Sequence, residues 1–151
     1  MKHVSYCRGV EYAEAPPSLS VDVAGGIAYL RFRRDVEAVE RTVDGEPSTT
    51  YRATEYVASC AAIPGLAARV SDAEAAWFEA AHGLAVDALS ADARSKRDAL
   101  LVASDPRALA DFSQTAEQRA EWMTYRQALR NVPEQAGFPF DVVWPVAPGD
   151  V

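Results

Sequence analysis

Cysteine, histidine and methionine are scarce in this sequence, with two of each among 151 residues. Cys7 and Cys60 lie far apart and form no CxxC, so no disulfide framework is indicated and a reducing compartment is the simpler expectation. The residues able to bind a transition metal are His3, Cys7, Cys60 and His82. The first two lie in a β-like segment and the others have no neighbouring ligand, so the sequence predicts no metal site and no cofactor. A Cys60–His82 nucleophile pair would need a proximity that the spacing does not supply. Long apolar runs are also missing. Pro16-Pro17 and Gly25-Gly26 interrupt the N-terminal part, so neither an export signal nor a membrane span is expected. Gly25-Gly26 has neither GxGxxG spacing nor a Lys-Ser/Thr ending, which excludes a phosphate loop. Basic residues number 15 against 22 acidic, a net charge of −7. That balance argues against nonspecific nucleic-acid binding and against anionic membranes, both of which need a basic surface.

What is present is globular composition: 49% hydrophobic and 25% charged residues, enough for one ordinary domain or two small modules sharing a core. Residues 1–93 carry 8 basic and 14 acidic side chains, whereas residues 94–131 carry 7 and 5. A moderately basic helical segment in an acidic chain is compatible with an acidic protein partner. We expect an α+β protein: residues 1–70 form a β-rich part with an antiparallel hairpin or small sheet, and residues 71–151 form an antiparallel helix pair with an extended proline-rich tail.

His3 to Cys7 and Leu19 to Val23 read as short strands with Ala15-Pro16-Pro17-Ser18 as the turn between them. Ile27 to Val43 and Thr49 to Ala61 are rich in β-branched and aromatic residues, and Asp44-Gly45 between them favours a hairpin. Tyr29, Leu30 and Phe32 are expected to meet the core, and the charged tip from Arg33 to Arg41 to face water or a partner. Ser71-Asp72-Ala73-Glu74 reads as a capping box opening a helix whose apolar stripe is Trp77, Ala81, Leu84, Ala88 and Leu89. Whether that helix runs unbroken to Ala103 or bends near Ser90-Ala91-Asp92 stays open. Asp105-Pro106 suits a short helical turn over Arg107 to Asp111 with Asp105 as its cap. Thr115-x-x-Gln118 is a second capping box, followed by the stripe Trp122, Tyr125, Leu129 and Val132 and the stop at Pro133. Pro139, Pro145 and Pro148 favour an extended path beyond, which Phe138, Phe140 and Trp144 make too apolar for a free tail.

Carboxylate pairs such as Glu74 and Glu79 sit among too much solvent-facing charge to mark a hydrolytic dyad. Arg31-Phe32-Arg33-Arg34 after Tyr29 is the one basic-aromatic cluster. It has the chemistry to stack on single-stranded nucleic acid, but Asp35, Glu37 and Glu40 follow at once and would cancel its field, so an exposed strand paired by cross-strand charges is expected. The sequence therefore predicts no enzyme and no nucleic-acid or membrane partner. The candidate sites are protein-interaction residues: Trp144, Phe138 and Phe140 as apolar contacts, with Arg126, Arg130, Arg31, Arg33 and Arg34 steering an acidic partner.

The order Arg97-Asp98-x-Leu100-Leu101, Ser104-Asp105, Tyr125-Arg126-Gln127-Ala128-Leu129-Arg130, then Phe138-Pro139-x-Asp141-Val142-x-Trp144-Pro145 resembles the phage tail assembly chaperone family over residues 94–148. Pro106 departs from it, since the family often has a Trp just after the Ser-Asp pair. Tyr51-Arg52-Ala53-Thr54-Glu55-Tyr56-Val57, leading to Pro64-Gly65-Leu66, is similar to uncharacterised prophage tail-region proteins. The resemblance implies a noncatalytic assembly chaperone in the cytoplasm of a bacterial host, with a phage tail or tail-fibre protein as partner and a homo-oligomer left open. A structural component retained in the virion is the alternative.

Overall fold

A computed structural model describes Met1 and residues 3–149. The elements are strands β1 (His3–Tyr12), β2 (Leu19–Ala24), β3 (Ile27–Val43) and β4 (Glu46–Ala61), then helices α1 (Leu66–Asp72), α2 (Glu74–Ala103) and α3 (Ala116–Arg130). Short 3₁₀ turns occupy Asp105–Ala108 and Val132–Glu134. The chain is thus α+β. It divides into two compact units, Met1–Ala85 and Val86–Val151, with the boundary inside α2.

The first unit is built on an antiparallel sheet in the order β1-β4-β3-β2. The β3–β4 hairpin turns on two residues, Asp44 and Gly45, with φ of 53° and 87°. Positive φ at both central positions matches the right-handed strand twist, and Asp and Gly tolerate it best. The turn is shorter than the expected five residues, so Glu46 and Pro47 pair within the ladder against Val43 and Thr42. Pro47 is accommodated because β1 pairs with β4 only as far as Tyr51, leaving the Pro47 nitrogen on an open edge.

The two N-terminal strands do not flank a common turn. They lie at opposite edges of the sheet, and β1 runs on to Tyr12. The link between them carries Pro16-Pro17 and crosses instead of reversing. Arg33 fastens it, donating from its backbone to the Ser18 carbonyl (2.7 Å) and from Nη1 to the Pro17 carbonyl (3.1 Å).

Alternation sets the core. Ala28, Leu30 and Phe32 on β3 and Ala58 on β4 are fully buried on one face, while Tyr29 on the other face is only half-buried. Burying Leu30 and Phe32 stabilises the unit by roughly 1.5–3 kcal/mol each. Phe78 of α2 closes over this face, its ring 5.9 Å from Phe32 and 5.3 Å, edge-on, from Tyr56. Past a bulge between Arg34 and Glu37, the ribbon carries Val36 and Val43 exposed. Glu11 of β1 accepts hydrogen bonds from Arg41 (2.6 Å) and Arg52 (3.3 Å), and these two guanidiniums hold its carboxyl below the usual range.

The helical start differs from the capping-box reading. Helix α1 begins at Leu66 behind Gly65, so Ser71 and Asp72 lie in its last turn and Ala73 separates it from α2. Leu66 and Val70, four residues apart, bury their side chains and outweigh the cap signal. Helix α2 is unbroken for 30 residues. Its inward stripe is Phe78, Ala81, Ala85, Leu89 and Ala93, whereas Leu84 and Ala88 are exposed. Phe78 anchors this rotation through its ring contacts with Phe32 and Tyr56, and His82, one turn on, meets Tyr56 at 5.6 Å.

In the second unit Ser104, not Asp105, caps the 3₁₀ turn that carries Pro106. The turn ends at Ala108, and the Asp105 carboxylate accepts from Arg126 instead of capping it. Helix α3 opens on the expected box: the Thr115 hydroxyl accepts from the Gln118 amide (3.2 Å), and the Gln118 side chain accepts from the Thr115 amide (2.9 Å). Tyr125, Leu129 and Val132 are buried. Trp122 meets Tyr125 edge-on at 5.7 Å, with the Arg107 guanidinium 5.0 Å over its ring. Residues 142–147 have no regular secondary structure.

Candidate protein-interaction site

Arg126 ties the second unit together. On α3 it is one turn before the helix end, and its Nη1 donates to the Leu101 carbonyl (2.8 Å) and the Ser104 hydroxyl (2.7 Å). Its Nη2 donates to Asp105 (2.8 Å), and the residue is only 8% exposed. The Leu101 carbonyl, near the end of α2, also accepts from the Ser104 amide (3.1 Å) and the Ser104 hydroxyl (2.9 Å), so one planar cation from α3 joins a turn that Ser104 already closes. Arg126 thus serves inside the fold. Arg130, one helical turn on, is exposed and donates to Gln127.

The tail folds back along the second half of α2. Arg94 places its guanidinium 5.2 Å from the centre of the Phe138 ring, and the Lys96 ammonium stands 4.3 Å from that of Trp144. Both geometries are cation–π contacts. Gln135 fixes the strand between them: its Nε2 donates to the Val143 carbonyl (2.7 Å) and its Oε1 accepts from the Val143 amide (2.8 Å). The side-chain amide thereby copies one rung of a β-ladder. The intervening loop is tight, with the Asp141 amide donating to the Gly137 carbonyl at 2.6 Å. A Cβ at Gly137 would collide with the Asp141 carbonyl and lie 2.9 Å from its Cβ. Phe138, Phe140 and Trp144 are consequently half-buried, each keeping an open side.

The arginines of the first unit are matched to acids remote in sequence. Arg31 pairs with Asp22 on β2. Arg33, 8% exposed, pairs with Glu55 (3.2 Å) and donates to the Tyr12 hydroxyl (3.0 Å) and to Ser20 (3.1 Å). Tyr12 in turn donates to Glu55 (2.8 Å), and burial is the main reason its phenol titrates above the usual value. Arg34 lies 4.1 Å over Phe78 and pairs with Glu74 of α2 (3.2 Å). The neutralising acids are therefore Asp22, Glu55 and Glu74. Of those that follow the cluster in sequence, Glu37 approaches Arg52 (3.8 Å) and Glu40 accepts from Thr49 (3.2 Å).

Among the described residues no group of three or more His, Cys, Asp or Glu could hold a metal ion, and no helix is long and apolar enough to cross a membrane. Phe78 and Gln135 are the two residues of consequence missed from sequence. Phe78 was legible from its size in an alanine-rich helix, whereas nothing marks Gln135 in advance.

Residues 90–149 match the family model of the phage tail assembly chaperone protein, the segment in which the resemblance was read. No curated protein and no solved structure matches the chain. The match supports a tail assembly chaperone role and a tail-related protein partner.

Proposed function

We propose that this chain is a noncatalytic tail assembly chaperone that binds a tail or tail-fibre protein in the bacterial cytoplasm and shields an aggregation-prone surface of it until assembly. The carrying observation is that the matched segment coincides with a self-contained unit whose motif residues interlock: Ser104 and Asp105 with Arg126, and Lys96 with Trp144. Those motifs form a scaffold and include no nucleophile–base pair or metal cluster, which suits binding rather than chemistry. The open sides of Phe138, Phe140 and Trp144, with the exposed Arg130 and the half-buried Arg31, supply the contacts. Arg126, Arg33 and Arg34 act from within by holding those surfaces in shape.

The test is co-expression of the tagged chain with the tail proteins encoded beside it, followed by purification and mass spectrometry. Recovery of one tail protein in a fixed ratio supports the reading. A chain recovered alone, while those tail proteins remain soluble and assemble, removes it. Finding the chain in purified virions would replace it with the structural-component reading.

A further inference from the structure

Helix α3 and the end of the tail leave a groove of ≈690 Å³ between them, within the second unit. One wall is Ala120, Thr124 and Ala128, with Tyr125 as a firm floor; the other is the chain from Pro145 to Gly149. Tyr125 is 7% exposed, so the floor is already packed from behind. Short side chains on α3 keep the groove open, and Val146, 67% exposed, presents an apolar lip that no described residue covers. The volume lies in the range of binding clefts that take several side chains of a ligand.

The charge of the groove narrows its occupant. Among the described residues Glu121 is the one ionisable side chain lining it besides the phenol of Tyr125, and it has no ion-pair partner; Arg107 lines an adjoining hollow with Glu121, but its guanidinium stands over the Phe112 and Trp122 rings (4.6 and 5.0 Å). An apolar trough with the Glu121 carboxylate on its helical wall favours an apolar segment carrying a Lys or Arg over an acidic one.

We propose that this groove seats an apolar, basic segment of the partner protein. The proposal rests on the chaperone reading for the identity of that partner, but not for the chemistry of the groove. It also differs from the acidic partner that the arginines suggest, and assigns recognition to Glu121.

The experiment titrates the full chain with two capped pentapeptides, lysine-flanked Leu-Val-Leu and its glutamate-flanked counterpart, while following the backbone amide resonances. Saturable shifts at Ala120, Glu121, Thr124 and Ala128 with the basic peptide are expected, with the acidic peptide at least about tenfold weaker. E121K should remove that preference. Ala120→Trp, at an exposed position that leaves folding intact, should block both peptides. Equal shifts from both peptides, or none at these four residues, would overturn the proposal. The same variants are then co-purified with the tail proteins. Full recovery of the partner by both variants overturns the groove as its seat and leaves the chaperone reading standing. Peptide binding with no tail protein recovered by the wild-type chain keeps the groove and removes the chaperone reading.

Discussion

The ammonium of Lys96 stands 4.3 Å from the centre of the Trp144 ring, joining the C-terminal part of a 30-residue helix to a tail that has no regular structure. Half of Trp144 therefore belongs to the fold and half to the surface. Replacing Lys96 by Ala should cost about 0.5–1 kcal/mol, and Trp144→Ala more because apolar area is lost with the contact. A double-mutant cycle by urea unfolding should return a coupling of about 0.5–1 kcal/mol. Additive effects would show that the pair is a mere proximity. For partner binding, Trp144→Ala should weaken the complex while circular dichroism keeps its helical signal. Unchanged binding with lost helicity would assign the ring wholly to the core.

Arg126 gives a second prediction. Its fork reaches a helix-terminal carbonyl, a hydroxyl and a carboxylate at once, which a lysine cannot do. Arg126→Ala should destabilise the second unit by about 1.5–3 kcal/mol, the range for hydrogen bonds to a charged group, and Arg126→Lys should recover only part of that. Thermal unfolding followed by near-ultraviolet circular dichroism of Trp122 and Trp144 reads this directly. A lysine variant as stable as the wild type would contradict the geometry.

These two contacts also show what the sequence could and could not disclose. The Thr115 box, the Asp44-Gly45 turn and the α3 stripe are local, set by residues within four positions of one another, and they appear as expected. Ser104-Asp105 and Arg126 were legible as motifs, but their meeting is long-range and became visible only in the fold. Cross-strand charge pairing is expected around Arg33, and Glu55, directly opposite it on β4, supplies the pair; which acid it would be is set only by the register. The alanine-rich α2 offered several stripes of equal apolarity, so its rotation depended on what Phe78 meets on the sheet. The Ser71 box lost to Leu66 and Val70 because burial of two side chains outweighs one cap.

Gln135 makes a third case. Removing its two bonds to Val143 should release the tail from residue 142 onward without unfolding α3. Gln135→Ala is therefore expected to raise amide exchange at Val143 at least about tenfold, since two net hydrogen bonds of about 1 kcal/mol each are lost. Exchange confined to its wild-type rate would mean that the tail is held by its aromatics alone.

The sheet should weaken in alkali. Burial raises the phenol pKa of both Tyr12 and Tyr56. Below the ordinary tyrosine value of about 10 both folded and unfolded chains keep these protons, and the full stability is present. As pH rises from there through the raised values, the unfolded chain ionises first, so stability must fall. Urea unfolding at successive pH values should show that decline, and Tyr12→Phe should flatten it. A wild-type profile flat through this window would contradict the burial.

The measurement that tests the central claim most directly is deletion of the gene that encodes it, with phage tails in the induced lysate counted by electron microscopy. The account predicts that tails are lost or malformed, that the gene supplied in trans restores them, and that the restored particles do not contain the chain. Normal tails in normal number without it would contradict the account.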